Sequence, residues 1–270
     1  MPGEPPLLLD GTGAAMDLLE GRTSPRTLAR VGGALYLVII VLGLLDEVAV
    51  RSRLVVGGDA AATARAIAAS EPLWRAGVAG EIVLLLCAVA LTLVLLVLLS
   101  PVSRARARLA TLFNVVSIAI EGASALYLVS ALFPLGSAGY LAALDPAQRA
   151  ALAYLSIRAH GYGFGVSLVF FGCVCEVLGY LIFGSGFLPR ALGVLMAVAG
   201  LCYLVNGFAL ILSAALAARL FPAILLPAFV GEASLCLWLL ARGVDEERWR
   251  ARASAALPPG SAADRGAQRP

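Results

Sequence analysis

The chain alternates long apolar runs with short breaks that hold most of its charge. Six runs reach the roughly 20 residues a helix needs to cross a bilayer core about 30 Å thick. They fall near residues 28–47, 73–99, 109–133, 158–183, 190–214 and 223–242. Proline marks their ends. Pro25, Pro72, Pro189 and Pro222 stand at span starts, where the first-turn N–H has no partner to lose. Pro101 and Pro134 follow the second and third spans and stop them. Two shorter elements lie between spans. Asp59 predicts a cap on an Ala-rich helix over about 60–70. The stretch Asp145-Pro146-Ala147-Gln148 has the form of a capping box whose helix runs on into the fourth span.

Composition agrees with this pattern. Of 270 residues, 61% are hydrophobic and 14% charged, and the mean hydropathy is +0.93. A soluble domain carries roughly 25% charged residues, so the class is an all-α polytopic membrane protein, a bundle of six transmembrane helices. All 20 basic residues are arginine. With so much Ala, Gly, Leu and Val, this suggests a GC-rich bacterial genome and a place in the bacterial inner membrane. The net charge of +3 is small and spread out, so nucleic acid is not an implied partner; the lipid bilayer is. The five cysteines lie inside apolar runs and form neither a disulfide framework nor a zinc knuckle.

Arginine placement orients the bundle. With the N-terminus inside, the cytoplasmic flanks carry Arg22, Arg26, Arg30, Arg104, Arg106, Arg108, Arg190, Arg242, Arg248, Arg250 and Arg252. The outer flanks carry Arg51, Arg53, Arg65, Arg75, Arg149, Arg158 and Arg219. Eleven against seven favours both termini inside. Residues 1–24 then form a disordered cytoplasmic tail, 25–243 the transmembrane domain, and 244–270 a juxtamembrane helix and a second tail. The N-terminus has neither the basic start nor the cleavage site of a secretory signal, and Met16 is an alternative start.

Glycine marks one helix pair. Gly165, Gly172 and Gly179 recur every seven residues in the fourth span, and Gly193, Gly200 and Gly207 in the fifth. A spacing of seven keeps residues on nearly one face, and small faces let membrane helices approach closely. The short loop between these spans predicts an antiparallel pair packed along glycine; a hinge or sliding seam is the functional alternative. "GEIVLLLC" (80–87) and "GEASLCLW" (231–238) repeat Gly-Glu before an apolar run. An old duplication and chance similarity in Leu-rich sequence account for this equally well.

Glutamates inside the apolar runs are the chemical signal. A central charge costs roughly 3 kcal/mol, and each large apolar residue returns about 0.3–0.6. The helices therefore still insert, but each carboxyl must face protein or water. Glu81 lies about 12 Å from the outer end of its span at 1.5 Å per residue, and Glu121 and Glu232 near mid-membrane. Asn206 falls in the outer half of the fifth span, with His160 and Arg75 near outer ends. These six residues form a candidate outward-opening polar site. Glu176 lies about 24 Å along the helix from His160 and makes a second, inner-side pair with Tyr180. Hydrogen-bonded interhelical glue is the competing reading of the whole set. With one histidine there is no three-His zinc site and no HExxH motif, and no GxSxG, P-loop or Ser-His-Asp pattern occurs. No catalytic residue, metal or cofactor is assigned.

The chain resembles a bacterial family, the domain-of-unknown-function family 4386, over about residues 25–243. The resemblance rests on Arg75 with Glu81, His160 ahead of "VFFG" (169–172), "LPRALG" (188–193), the Tyr203–Asn206 stretch and "LPAFVGE" (226–232). It implies a polytopic bacterial membrane protein and supplies no activity. It points to Arg75, Glu81, His160 and Glu232 as site residues. Three functions stay open: an intramembrane site for a small solute, cation or proton; a membrane-embedded enzyme acting on lipid through Glu carboxylates; and a structural or sensory protein.

Overall fold

A computed structural model describes residues 24–256, which are helical without any strand. Residues 1–23 and 257–270, which take in nearly all of the tail expected over 1–24 and the end of the segment expected over 244–270, lie outside the described residues, as does the alternative start at Met16. Helix α1 begins at Pro25, capped by Ser24, whose side chain accepts from the Thr27 N–H. It runs to Leu54 with a π-helical turn over Asp46–Arg51, well past the expected end at 47. Helix α2 spans Ala60–Ala69 and is capped by Asp59. Helices α3 (Glu71–Leu99) and α4 (Arg104–Ser130) come next. Helix α5 is a single 40-residue rod, Pro146–Ser185, opened by the full Asp145/Gln148 capping box.

Helix α6 (Arg190–Leu212) stops where Ser213 caps a new short helix, α7 (Ala214–Leu220). Helix α8 covers Leu225–Ala241, and α9 covers Glu246–Ala255. Five helices, α1, α3, α4, α5 and α6, are each long and apolar enough to cross a membrane. The α7–α8 pair, bent by 56°, makes a sixth span if counted as one. The helix expected over 223–242 is found at 225–241; what is added is the short α7 before it, set at 56° across the break.

The spans form a ring in chain order. The main packing partners of each are the spans before and after it, and α8 closes the ring against α1. Short connections such as Gly186–Pro189 allow only antiparallel neighbours there. Leu98, Leu99, Leu181, Ile182, Met196 and Leu239 fill the end near the start of α1, each 1% exposed or less. A smaller apolar cap, including Val50, Ile67, Trp74 and Leu128, closes the opposite end. The carboxyls inside the ring fall in the layer between these two plugs.

Two indoles bracket the bundle. Trp74 Nε1–H donates to the Leu128 carbonyl at 3.0 Å. Trp249 Nε1–H donates to the Leu98 carbonyl at 2.9 Å. Trp74 and Leu98 stand on α3 about 36 Å apart at 1.5 Å per residue. That matches a hydrocarbon core with its interfacial belts, where tryptophan concentrates. The outer surface between them exposes Leu86, Leu112, Leu126 and Leu226 by 64–68%, a face suited to lipid.

The six glycines face one another across α5 and α6. A Cβ at Gly172 would lie 2.9 Å from the Gly200 carbonyl oxygen, and one at Gly200 would lie 2.8 Å from that of Gly172. Gly179 and Gly193 oppose each other at 2.7 and 2.6 Å, and a Cβ at Gly207 would meet the Gly165 oxygen at 2.8 Å. No side chain fits at these contacts without moving backbone.

Candidate functional site

The first polar cluster is built on the π turn of α1. There the Ser52 N–H bonds back to the Glu47 carbonyl, five residues earlier. In a regular helix Asp46 and Arg51 would point about 140° apart. The wider turn brings them together, and Arg51 Nε–H donates to Asp46 Oδ2 at 2.5 Å. Gly77 of α3 lets this turn approach, since a Cβ there would lie 2.6 Å from Asp46 Oδ1. Glu81, one helical turn further on the same face, accepts from Arg51 Nη2 at 2.8 Å.

Arg51 Nη1 lies 2.7 Å from His160 Nε2, and His160 Nδ1 lies 3.2 Å from the Ser124 carbonyl. Arginine only donates and a carbonyl only accepts, so the network assigns a neutral imidazole with its proton on Nδ1. Every nitrogen of Arg51 is therefore engaged; α1, α3 and α5 meet at this one side chain, and α4 joins through His160 and the Ser124 carbonyl. One oxygen is left over. Glu81 Oε1 is buried without a hydrogen-bond partner; its neighbour His160 Nδ1, 4.0 Å away, is spent on Ser124. Glu121 is half-buried, has no side-chain hydrogen bond among the described residues, and lies in the field of Glu81 and Arg51. Two carboxyl groups, Asp46 and Glu81, thus share one guanidinium, and Glu121 is near them without an ion pair.

Glu232 sits elsewhere, at the junction of α1, α6 and α8. Tyr36 Oη–H donates to its Oε2 at 2.9 Å, and Tyr203 Oη–H donates to its Oε1. Phe171 packs against the Tyr203 ring, centroids 5.4 Å apart. One helical turn on, the Cys236 thiol donates to the Gly33 carbonyl. Tyr36 and Asp46 are ten residues apart on α1, so this pair of tyrosines lies about 15 Å from the Arg51 cluster along the helix.

The residues expected in one site therefore divide. Glu81, Glu121 and His160 come together. Glu232 forms its own clamp, and Asn206, half-buried one turn beyond Tyr203, hydrogen-bonds to neither group. Arg75 is not part of the cluster: it is 61% exposed and pairs with Glu71 at 2.7 Å. Six residues along α3 put Arg75 and Glu81 about 120° apart, so they face different ways. Glu176 and Tyr180 are not hydrogen-bonded to each other. The Glu176 carboxyl lies over Gly200, and the exposed Tyr180 ring stacks under the Arg106 guanidinium at 4.4 Å.

Asp46, Arg51 and Tyr36 escape the sequence reading, as does a smaller bond in which Asn114 Nδ2 donates to Thr92 Oγ1 at 2.6 Å. The available signal for the first two was "DEVAVR" (46–51), an acid and a base five apart at a span end. No group of three or more His, Cys, Asp or Glu among the described residues is placed to hold a metal ion.

The model of the family described as Domain of unknown function (DUF4386) matches residues 31–243. No curated protein and no solved structure matches the chain. The match covers most of the chain, including both polar clusters, and the chain belongs to this family.

Proposed function

We propose that this DUF4386 protein binds and releases a proton within the membrane at the Arg51–Glu81–His160 cluster, in the cytoplasmic membrane of a bacterium. The observation that carries the reading is Glu81 Oε1, buried and unpartnered in a site where two carboxyls share one guanidinium. An ionised carboxylate oxygen without a donor is costly in a low-dielectric interior. One proton on each of Glu81 and Glu121 removes the surplus negative charge, and a small cation is the alternative occupant. With both termini inside, as the arginine count favours, the cluster lies toward the outer side beneath the smaller apolar cap, and the large apolar plug lies on the inner side.

The test is infrared titration of the full-length protein in lipid vesicles. The expected result is a carboxylic-acid C=O band that appears and disappears with pH and is lost in Glu81→Gln or Glu121→Gln. A titration identical to the parent in both variants overturns the reading. Sodium-dependent stabilisation lost in both variants assigns the site to a cation instead. The saturated bonding of Arg51 favours a second reading, a staple tying helices together. On that reading Glu81→Gln leaves every spectroscopic and functional readout of the folded protein unchanged.

A further inference from the structure

A cavity of about 660 Å³ lies at the end of the bundle opposite the Arg51 cluster. It is bounded by the start of α1, the end of α8, the α5–α6 loop and the start of α9. Its size falls within the usual range for a ligand site. The apolar part of the lining is Phe187, Leu188, Trp238 and Val244. Three arginines complete it, and they are not equivalent.

Arg248 is spent: its Nε pairs with Asp245 at 3.3 Å, and its Nη1–H donates to the Gly186 carbonyl at 3.2 Å. It fixes the wall. Arg26 and Arg242, both exposed, have no ion pair or side-chain hydrogen bond among the described residues. The Arg26 stem packs on Gly243, where a Cβ would lie 2.9 Å from its Cγ. Gly243 also needs its freedom because its φ is +69°. Of the acidic residues, Asp245 pairs with Arg248 and Glu246 with Arg250 at 3.2 Å. Glu247 has no ion pair among the described residues.

The uncommitted charges at the cavity are thus two guanidiniums and one carboxylate above an apolar floor. Depth selects the ligand. Trp249 of α9 is tied to the last turn of α3 through Leu98, which places this end of the bundle at the bilayer interface. Basic pockets between helices at that level take lipid head groups. We infer that the cavity binds a phospholipid, its phosphate on Arg26 and Arg242, its glycerol and acyl start on the apolar floor, with Glu247 beside an amine-bearing head group. This inference does not depend on the proton site.

Native mass spectrometry of the full chain in detergent, titrated with phosphatidylethanolamine or phosphatidylglycerol, tests it. The expected result is saturable binding of one lipid by the parent, weakened about fivefold by Arg26→Gln and again by Arg242→Gln. Arg252→Gln, on the same basic helix but outside the cavity lining, should bind as the parent does. Inorganic phosphate should not compete. Absence of saturable binding by the parent overturns the proposal without reference to any variant. Unchanged affinity in both cavity variants also overturns it, and phosphate competing as well as lipid would assign the cavity to a free anion.

Discussion

Glu81 and Glu232 arrive with the same local sequence, Gly-Glu ahead of an apolar run, and finish in opposite states. Glu232 has a tyrosine hydroxyl on each oxygen. Glu81 shares a guanidinium with Asp46 and His160 and has one oxygen with no partner. The run that carries a carboxyl into the membrane does not decide what the carboxyl does there. Partners from distant helices decide it. Glu232, with both oxygens satisfied, joins three helices, and the unmet acceptor of Glu81 is the observation on which the proposed proton site rests.

The contrast can be broken at its strongest point first. Arg51→Met removes the donor shared by three groups, and breaking a buried pair from one side is strongly destabilising. We expect a loss of about 3 kcal/mol by denaturant unfolding in detergent. A loss no larger than that of an exposed arginine would mean the cluster contributes nothing to folding. Next comes Glu232→Leu, which strands the Tyr36 and Tyr203 hydroxyls. The expected cost is about 2 kcal/mol, with most of it recovered in Glu232→Gln. Glu81→Leu should cost less, about 1 kcal/mol, because Arg51 keeps Asp46 and an unpartnered oxygen is removed with the side chain. A larger loss at Glu81 than at Glu232, measured side by side, would invert the comparison. Smallest is Arg75→Gln, whose exposed pair with Glu71 should be worth under about 0.5 kcal/mol.

The fold was legible where the membrane dictates it. A span must be long and apolar, so composition located the helices, while Asp59, Asp145 and the prolines located starts that local hydrogen bonding enforces. The glycine spacing was visible for the same reason, since periodicity of seven is a property of a single helix. The partners of Glu81 were less legible. Pairing Arg75 with Glu81 assumed that closeness in sequence near one span end meant closeness in space, but helical phase turns them apart. Arg51 was counted only as a flanking charge because the first span was expected to end at 47, whereas the helix runs to Leu54. Tyr36 and Glu232 are 196 residues apart, and only closure of the ring, α8 on α1, brings them together. Pro222 marked the start of the last span, but the short helix α7 before it was not expected, because its residues continue the apolar run of the fifth span.

A π turn corresponds to an α-helix with one residue more than its regular repeat. At the level of the gene, the turn holds one codon more than a regular helix would need over the same path. Deleting a codon within 47–50 would return α1 to the regular repeat and leave Asp46 and Arg51 four residues apart, still on one face. The turn therefore absorbs a one-residue change in length while the ion pair and the end of the span keep their places.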